Sequence, residues 1–442
     1  MERFAQGEIT GVSIDSRTVK DGELFVAIRG DRFDGHDFVP DAVRRGAWGA
    51  LVERSALGAR PGDLGGLRNV IAVDDTLIAL QEMSLIHRRK FSLPVVGLTG
   101  SNGKTTTKEM LAAILLRRGP VLKNEGNLNN HIGVPLTLFK LRGQHRAAVI
   151  EMGMSGLGEI ELLTRLAQPE VGVITNIGPA HLQFLGSTDT VAQAKGELLQ
   201  GLGPGGTAVL NADDRYFGML RALHPGRTVS FGMGERADVR ATEIEQQQDG
   251  TALTVHAGGA TARVRISTVG RHNVSNALAA AAAATVLGVP LDMVRAGLED
   301  FRPVAMRSEL RVVRGMRVLA DCYNANPASV RAALETLSAL GGERSVAVLG
   351  DMLELGEAAV EAHREVGRTA AGLRIGALIA VGPLGRHIAE GARSAGMAGD
   401  RVREADTPSQ AAVLLRGIAR AGDAVLMKGS RGMKMETVLE EF

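Results

Sequence analysis

The chain has 442 residues, 45% hydrophobic and 23% charged, an ordinary globular balance that excludes general disorder and predicts about two to four domains. Its 51 Lys and Arg against 49 Asp and Glu leave a net charge of +2, and Tyr 2, Trp 1 and Phe 11 supply few stacking rings, which excludes an extended nucleic-acid surface. A single cysteine, Cys322, excludes an intrachain disulfide and a cysteine-based zinc site.

The first eight residues, MERFAQGE, carry no apolar stretch, so no secretory signal is expected. The alanine-rich run Ala277 to Val289 is shorter than the roughly 18–20 apolar residues of a membrane-spanning helix and reads as a buried helix. The expectation is a soluble, cytoplasmic protein without membrane insertion.

Residues 1–91 mix β-like runs at Leu24–Ile28, Ala50–Val52 and Val70–Val73 with glycine turns, then a helix over Leu77–Arg89. They predict a small α/β domain ending near Pro94. Residues 92–305 open on the buried-strand run Leu93–Leu98, followed by a glycine loop and an apolar-periodic helix from Lys108 to Leu116. Further runs at Ala147–Ile150, Val171–Ile174 and Ala208–Leu210 are separated by helix-length segments, the pattern of a mostly parallel sheet. From about 228 to 268 alternating Thr, Val and Arg predict an antiparallel insertion or edge. Residues 306–442 repeat the α/β rhythm, with strands at Arg317–Ala320, Ser345–Leu349, Ala377–Val381 and Ala424–Met427. The fold expected is three α/β domains in series, the last Rossmann-like.

The strongest chemical signal is Gly100-Ser101-Asn102-Gly103-Lys104-Thr105-Thr106, between a buried strand and a helix. Glycines let backbone N–H groups curl around phosphate oxygens, and the helix N-terminus adds its positive end. Lys104 would reach the β/γ-phosphates and Thr105 would sit on Mg²⁺. The full G-x-x-x-x-G-K-[ST] pattern is short by one residue, because Leu98 stands where its first glycine belongs.

Glu151 closes the run Ala147–Ile150, and a carboxylate at the C-terminal end of a parallel strand faces the nucleotide crevice; it reads equally as a helix cap. His181 follows the strand at Val171–Ile174, and its role depends on whether the sheet order brings it near Glu151. Lys195, in a helical segment, is not singled out by charge logic. Asn273 and Asn276 open the alanine helix, where Asn is a common cap. Arg307 follows Pro303, while Asp321, Asn324 and Asn326 run into Pro327 and by themselves read as turn chemistry.

Taken together, these residues give the chain a resemblance to the Mur ligase family along its whole length. It rests on Asp15-Ser16-Arg17, Gly22–Ala27 and Asp34–Phe38; on the phosphate loop, Asn129–Pro135, Glu151-Met152-Gly153, Asn176–Leu182, Lys195-Gly196-Glu197 and His272-Asn273-Val274; and on Asp321–Pro327, Gly350–Gly356 and Lys428–Arg431. The Tyr323-Asn324-Ala325-Asn326 and Gly350-Asp351-Met352-Leu353-Glu354-Leu355-Gly356 runs are similar to those of members that join D-alanyl-D-alanine to UDP-N-acetylmuramoyl-tripeptide. The shortened phosphate loop is the family's own form.

The resemblance implies an ATP-dependent ligase of peptidoglycan precursor synthesis, acting as a monomer through an acyl phosphate. It implies that Ser16 and Arg17 contact the UDP end, and that Gly100 to Thr106 hold ATP. Thr105 and Glu151 would hold one Mg²⁺, while His181 and a CO2-carbamylated Lys195 would share a second. It places Asn273 on adenine, Asp321 on ribose, Arg307 on the γ-phosphate, and Asn324 and Asn326 near the incoming D-alanyl-D-alanine. Two alternatives stay open on sequence: a sibling ligase with another amine acceptor, and a nucleotide-binding regulator that ligates nothing.

Overall fold

The computed structural model describes residues 8–59, 69–341 and 344–442. Its strands form three sheets. The first is wholly parallel, β1 (Gly11–Ser13), β2 (Glu23–Val26), β3 (Gly49–Glu53) and β4 (Val70–Val73), in that spatial order. The three-residue β1 is too short for a sequence pattern to reveal.

The second sheet contains β5 (Val95–Thr99), β6 (Val121–Lys123), β7 (Ala147–Glu151), β8 (Val171–Ile174), β9 (Thr207–Asn211), β10 (Arg227–Gly232), β11 (Val239–Gln246), β12 (Thr251–Ala257) and β13 (Ala260–Ile266). Their order is β13-β12-β11-β10-β9-β8-β5-β7-β6. Strand β10 runs parallel to both β9 and β11, so the antiparallel stretch expected from residue 228 begins only with the β11–β12 pair. The buried Val229-Ser230-Phe231-Gly232 end of β10 continues the parallel core rather than edging it.

Successive residues of a strand point to opposite faces, and the core of this sheet divides accordingly. Val96, Leu98, Val149, Val173 and Val209 pack with the helices Lys104–Leu116 and Arg271–Val286. Val95, Ala148, Ile150, Ala208 and Leu210 pack on the other face with the helices Glu159–Ala167 and Thr188–Gln200. Ala277 and Ala279 to Ala284 are fully buried, as a helix wedged between a sheet and other helices requires. Gly297 shows how close this packing is, since a Cβ there would lie 2.4 Å from the Ile114 Cα.

The third sheet holds β14 (Glu309–Val313), β15 (Met316–Asp321), β16 (Ser345–Gly350), β17 (Ala377–Val381), β18 (Val402–Ala405) and β19 (Ala424–Lys428), ordered β14-β15-β19-β16-β17-β18. All pairs are parallel except the edge hairpin β14–β15. The expected first strand of this region is therefore its second. Strand β14 escapes sequence reading because Glu-Leu-Arg-Val-Val has the half-exposed character of an edge.

One helix binds the first sheet to the second. The helix Thr76–Arg88 is capped by Asp75, whose carboxylate accepts the Ile78 N–H at 2.8 Å. Its far end lies on the central sheet's layer, where the Arg88 Nε donates to the Ala167 carbonyl at 2.9 Å. No helix among the described residues is long and apolar enough to cross a membrane.

Candidate active site

Strand β5 sits between β8 and β7. The chain passes from β5 outward to β6 and β7, then crosses to β8 on the other side, so the strand order reverses beside β5. Ligands of open α/β sheets bind at such a switch point, outside the carboxyl ends of the strands. The phosphate loop follows β5, Glu151 ends β7, and the His181 loop follows β8. The sheet thus brings together the three segments that sequence alone left separate.

The helix after the phosphate loop begins at Lys104, not at Lys108 as its apolar periodicity suggests, and Gly103 is its N-cap with φ +80°. Polar residues fill that extra turn, and three of its four, Lys104, Thr105 and Thr106, line a cavity. Gly100 and Gly103 are both obligatory: added Cβ atoms would come within 1.9 Å of the Thr175 Oγ1 and 2.1 Å of the Asn276 Oδ1. The loop is held from behind. The Ser101 N–H donates to the Asn176 carbonyl at 2.9 Å, and the Asn102 N–H to the Asn176 Oδ1 at 3.0 Å.

The Thr105 hydroxyl donates to the Glu151 Oε2 at 2.9 Å, so the two expected oxygen ligands lie side by side. Glu151 is buried, and its other oxygen accepts from the Asn129 Nδ2 at 2.8 Å. The ammonium of Lys108 lies 3.6 Å from the Glu151 Oε2 while donating to the Asn124 carbonyl at 2.8 Å. Sequence reasoning gave Lys108 no role. Its place one turn beyond Lys104 in Lys-Thr-Thr-Thr-Lys was the available signal, because residues four apart share a helix face.

Lys104 donates to the Gly100 carbonyl at 2.7 Å and lines the cavity. Burial is the main cause that holds its pKa below the ordinary lysine value; Glu151 opposes the shift and Arg307 adds to it. Lys195 is 1% exposed. Burial first, then the charge of Lys104, pushes its amine well below the ordinary lysine range. Lys195 does not line the cavity, although its charge reaches His181. His181 does line it, with φ +55°, and burial lowers its pKa against the opposing Glu354 carboxylate.

The opposite wall comes from the third sheet. Asp321 ends β15, where its Oδ2 accepts from the buried Lys428 at 2.5 Å and its Oδ1 accepts the Ser308 N–H at 3.0 Å. The Arg307 guanidinium lies over the Tyr323 ring, 3.7 Å from its centroid. The Asn324 Oδ1 accepts the Ala325 N–H, whereas Asn326 reaches the phosphate loop through Asn102 at 2.8 Å. Asn273, in the alanine helix, donates to the Val269 carbonyl at 2.9 Å. Its neighbour His272 is held below the ordinary histidine pKa, chiefly by burial, with Asp321 opposing.

One cavity of about 610 Å³ is lined by Ser101 to Thr106, Glu151, His181, Asn273, Arg307, Asp321, Asn324 and Asn326. Ser16 and Arg17 lie elsewhere, in a second cavity of about 840 Å³ in the first domain beside Phe33, Phe38 and Arg45. Ser16 is buried there, while Arg17 is exposed and pairs with Asp15 at 2.7 Å. Among the described residues no three His, Cys, Asp or Glu side chains converge as a ready metal cluster.

Three family models match in sequence order. Residues 8–87 match the Mur ligase family, catalytic domain; residues 98–284 the Mur ligase middle domain; and residues 306–431 the Mur ligase, glutamate ligase domain. The chain is 38% identical over 442 residues to the UDP-N-acetylmuramoyl-tripeptide--D-alanyl-D-alanine ligase of Bacillus subtilis (strain 168), covering 100% of this chain and 94% of that one. A crystal structure of MurF from Acinetobacter baumannii superimposes with a TM-score of 0.90 at 36% identity, covering 99% of this chain and 94% of that one. MurF ligase from Thermotoga maritima, in complex with ADP, gives 0.87 at 30% identity, covering 98% and 97%.

Proposed function

The chain belongs to the Mur ligase family, and from that premise we propose that it joins D-alanyl-D-alanine to UDP-N-acetylmuramoyl-tripeptide at the expense of ATP. ADP and phosphate are released, and the product is the pentapeptide precursor of peptidoglycan, made in the cytoplasm. The observation that carries this reading is the single cavity shared by Lys104, Thr105, Glu151 and His181 with Arg307, Asp321 and Asn324. It offers phosphate contacts from one sheet and nucleoside and acceptor contacts from another.

A carboxylate is a poor electrophile, so the tripeptide's terminal carboxylate first attacks the ATP γ-phosphate and becomes an acyl phosphate. Lys104 and Arg307 offset the repulsion between the two anions, as electrostatic stabilisation must in phosphoryl transfer. The Gly100–Thr106 backbone cradles the phosphates, Asp321 takes the ribose and Asn273 the adenine side. The amine of D-alanyl-D-alanine, held near Asn324 and Asn326, then attacks the carbonyl carbon, and phosphate leaves as the amide forms. An acyl phosphate hydrolyses readily, so the third domain's wall over the phosphate loop serves to exclude water.

The Thr105 hydroxyl and Glu151 carboxylate are hard oxygen donors at hydrogen-bond separation, a pair that fits Mg²⁺. Thr105 and Glu151 would hold Mg²⁺ there, which would neutralise phosphate charge and polarise the transferred group. Lys195, carbamylated by CO2, would supply carboxylate-like oxygens to a second Mg²⁺ shared with His181, and its depressed pKa supports that chemistry because only the neutral amine reacts with CO2. In the first domain, Ser16 and Arg17 are proposed to meet the UDP end of the substrate.

The test is ADP release with UDP-N-acetylmuramoyl-tripeptide, with and without D-alanyl-D-alanine, and mass detection of the product. Turnover that needs both substrates and yields a pentapeptide is expected. Turnover with a different amine alone, or nucleotide binding without acceptor-dependent ATP consumption, would overturn the reading.

A further inference from the structure

The Gly350–Gly356 run has no part in the mechanism above, yet its Glu354 reaches His181 on the cavity wall. The Glu354 Oε2 lies 2.8 Å from the His181 Nδ1, and the Gln183 N–H donates to the Glu354 carbonyl at 3.2 Å. Gly356 adopts φ +55°, and a Cβ there would lie 3.4 Å from the Gln183 Cα. His181 and Glu354 themselves hold left-handed backbone, at φ 55° and 62°, a conformation that non-glycine residues keep only where surrounding contacts impose it. The loop is built from its own side as well: the Met352 N–H donates to the His363 Nε2 at 2.9 Å and the Leu353 N–H to the Ser430 Oγ at 2.9 Å.

From this geometry we propose that Glu354 is a positioning residue for His181. A carboxylate on Nδ1 fixes the proton at that nitrogen, orients the ring, and leaves the Nε2 lone pair for the cavity. Carboxylates in this place behind a histidine commonly raise its basicity and set its tautomer. The two residues are 173 positions apart and follow strands of different sheets. His181 is therefore completed only when the third domain is docked, so closure and assembly of the catalytic site are one event. The inference rests on the proposed metal role of His181, and it gives the Gly350–Gly356 run a function that no motif logic supplies.

The carboxylate is 52% exposed, and exposed pairs add little to fold stability. This separates positioning from support. Glu354→Ala should leave the melting temperature unchanged and the KM for ATP within about twofold. Its kcat should fall by about 10–100-fold, the usual cost of losing such a partner. Glu354→Gln, which still accepts from Nδ1, should recover most of the loss. A second readout avoids activity altogether: Mn²⁺ titration by electron paramagnetic resonance, with ADP present, on the full-length protein equilibrated with bicarbonate. The weaker of two Mn²⁺ sites should lose about tenfold in affinity in Glu354→Ala and recover in Glu354→Gln, and this holds whether or not the peptide substrates have been assigned correctly. Unchanged kcat and Mn²⁺ affinity in both variants, or a lowered melting temperature with a matching loss of ATP binding, would overturn the proposal.

Discussion

Asn326, on the turn that opens the third-domain helix Pro327–Gly341, donates its side-chain amide to the Asn102 Oδ1 of the phosphate loop at 2.8 Å. The same Asn326 uses its Oδ1 to accept the Ser329 N–H at 2.9 Å, so it caps a helix with one atom and holds the nucleotide loop with the other. The residues proposed to meet the acceptor are thereby tied to those proposed to meet ATP.

Asn102→Ala removes this contact while sparing the cap. Fold stability should stay within about 0.5 kcal/mol of the parent, as for surface changes without buried consequences. A net hydrogen bond of about 0.5–1.5 kcal/mol predicts a KM for ATP raised by about 2–12-fold. Because Asn102 also lines the cavity proposed to hold ATP, the decisive measurement is a double-mutant cycle with Asn326→Ala. Strictly additive losses would show that the two side chains act separately.

His363 gives a pH dependence whose sign is fixed by its contacts. It is 0% exposed, its Nε2 accepts the Met352 N–H at 2.9 Å, and its Nδ1 faces the Ala359 carbonyl at 2.6 Å. Protonating Nε2 would set one N–H against another. Burial is accordingly the main cause that lowers its pKa from 6.5, opposed by the Ala359 carbonyl and Asp351, with His387 assisting. A histidine depressed in the fold makes the unfolded state bind more protons, so stability is full above pH 6.5 and is lost as pH falls toward the lowered value. Asp351 has the opposite sign, because burial raises it from 3.8. Melting temperature against pH should slope upward from about pH 5 to 7, and His363→Gln should be less stable overall with a flatter slope. An unchanged slope would remove His363 as its source.

Much of the architecture was legible because buried parallel strands announce themselves: Val95 to Leu98, Ala147 to Ile150 and Ala377 to Val381 are apolar runs, the second flanked by charge and the third by glycine. What hid from the sequence was marginal or context-set. Strand β14 is an edge with exposed arginine, and β10 takes its direction from β9 rather than from its own residues. The phosphate loop was legible as chemistry, since its glycines and lysine serve one purpose. Lys195 was not, because its meaning lies in burial beside Lys104, a relationship between β8's following helix and the loop after β5. Glu354 was readable as part of a motif, but its partner His181 is fixed only by docking of the third domain.

Lys195 supplies a prediction about modification. In the proposed modification its neutral amine would attack CO2, forming an N–C bond and releasing one proton to give the carbamate anion. A buried amine held well below the ordinary lysine pKa is neutral to a greater extent near pH 8 than a surface lysine. After equilibration with 13C-bicarbonate, carbon NMR should show a carbamate resonance that is absent in Lys195→Arg. Acidification should erase it as the amine takes up a proton instead. Its presence in Lys195→Arg would place the modification elsewhere.

Tyr323 should act on catalysis through Arg307 alone. The guanidinium rests on its ring at 3.7 Å, and the backbone around Arg307 is pinned from both sides. The Tyr323 N–H donates to the Met306 carbonyl at 3.1 Å, and Asp321 accepts from the Ser308 N–H at 3.0 Å. Met306 and Ser308 both hold positive φ, at 60° and 49°, so Arg307 projects from a fixed kink and only its long side chain remains to be aimed. An aromatic face does this at small entropic cost, because the attraction is to the ring quadrupole and needs no hydroxyl. Tyr323→Phe should therefore keep kcat/KM for ATP within about twofold, while Tyr323→Leu should lower it by about 2–30-fold, matching a cation–π contribution of about 0.5–2 kcal/mol. The same Leu change made in Arg307→Met should cost almost nothing further, because the cation it aimed is gone. Equal losses in Phe and Leu would instead assign the effect to the phenol oxygen, and a full Leu penalty in the Arg307→Met background would mean that Tyr323 meets the nucleotide directly.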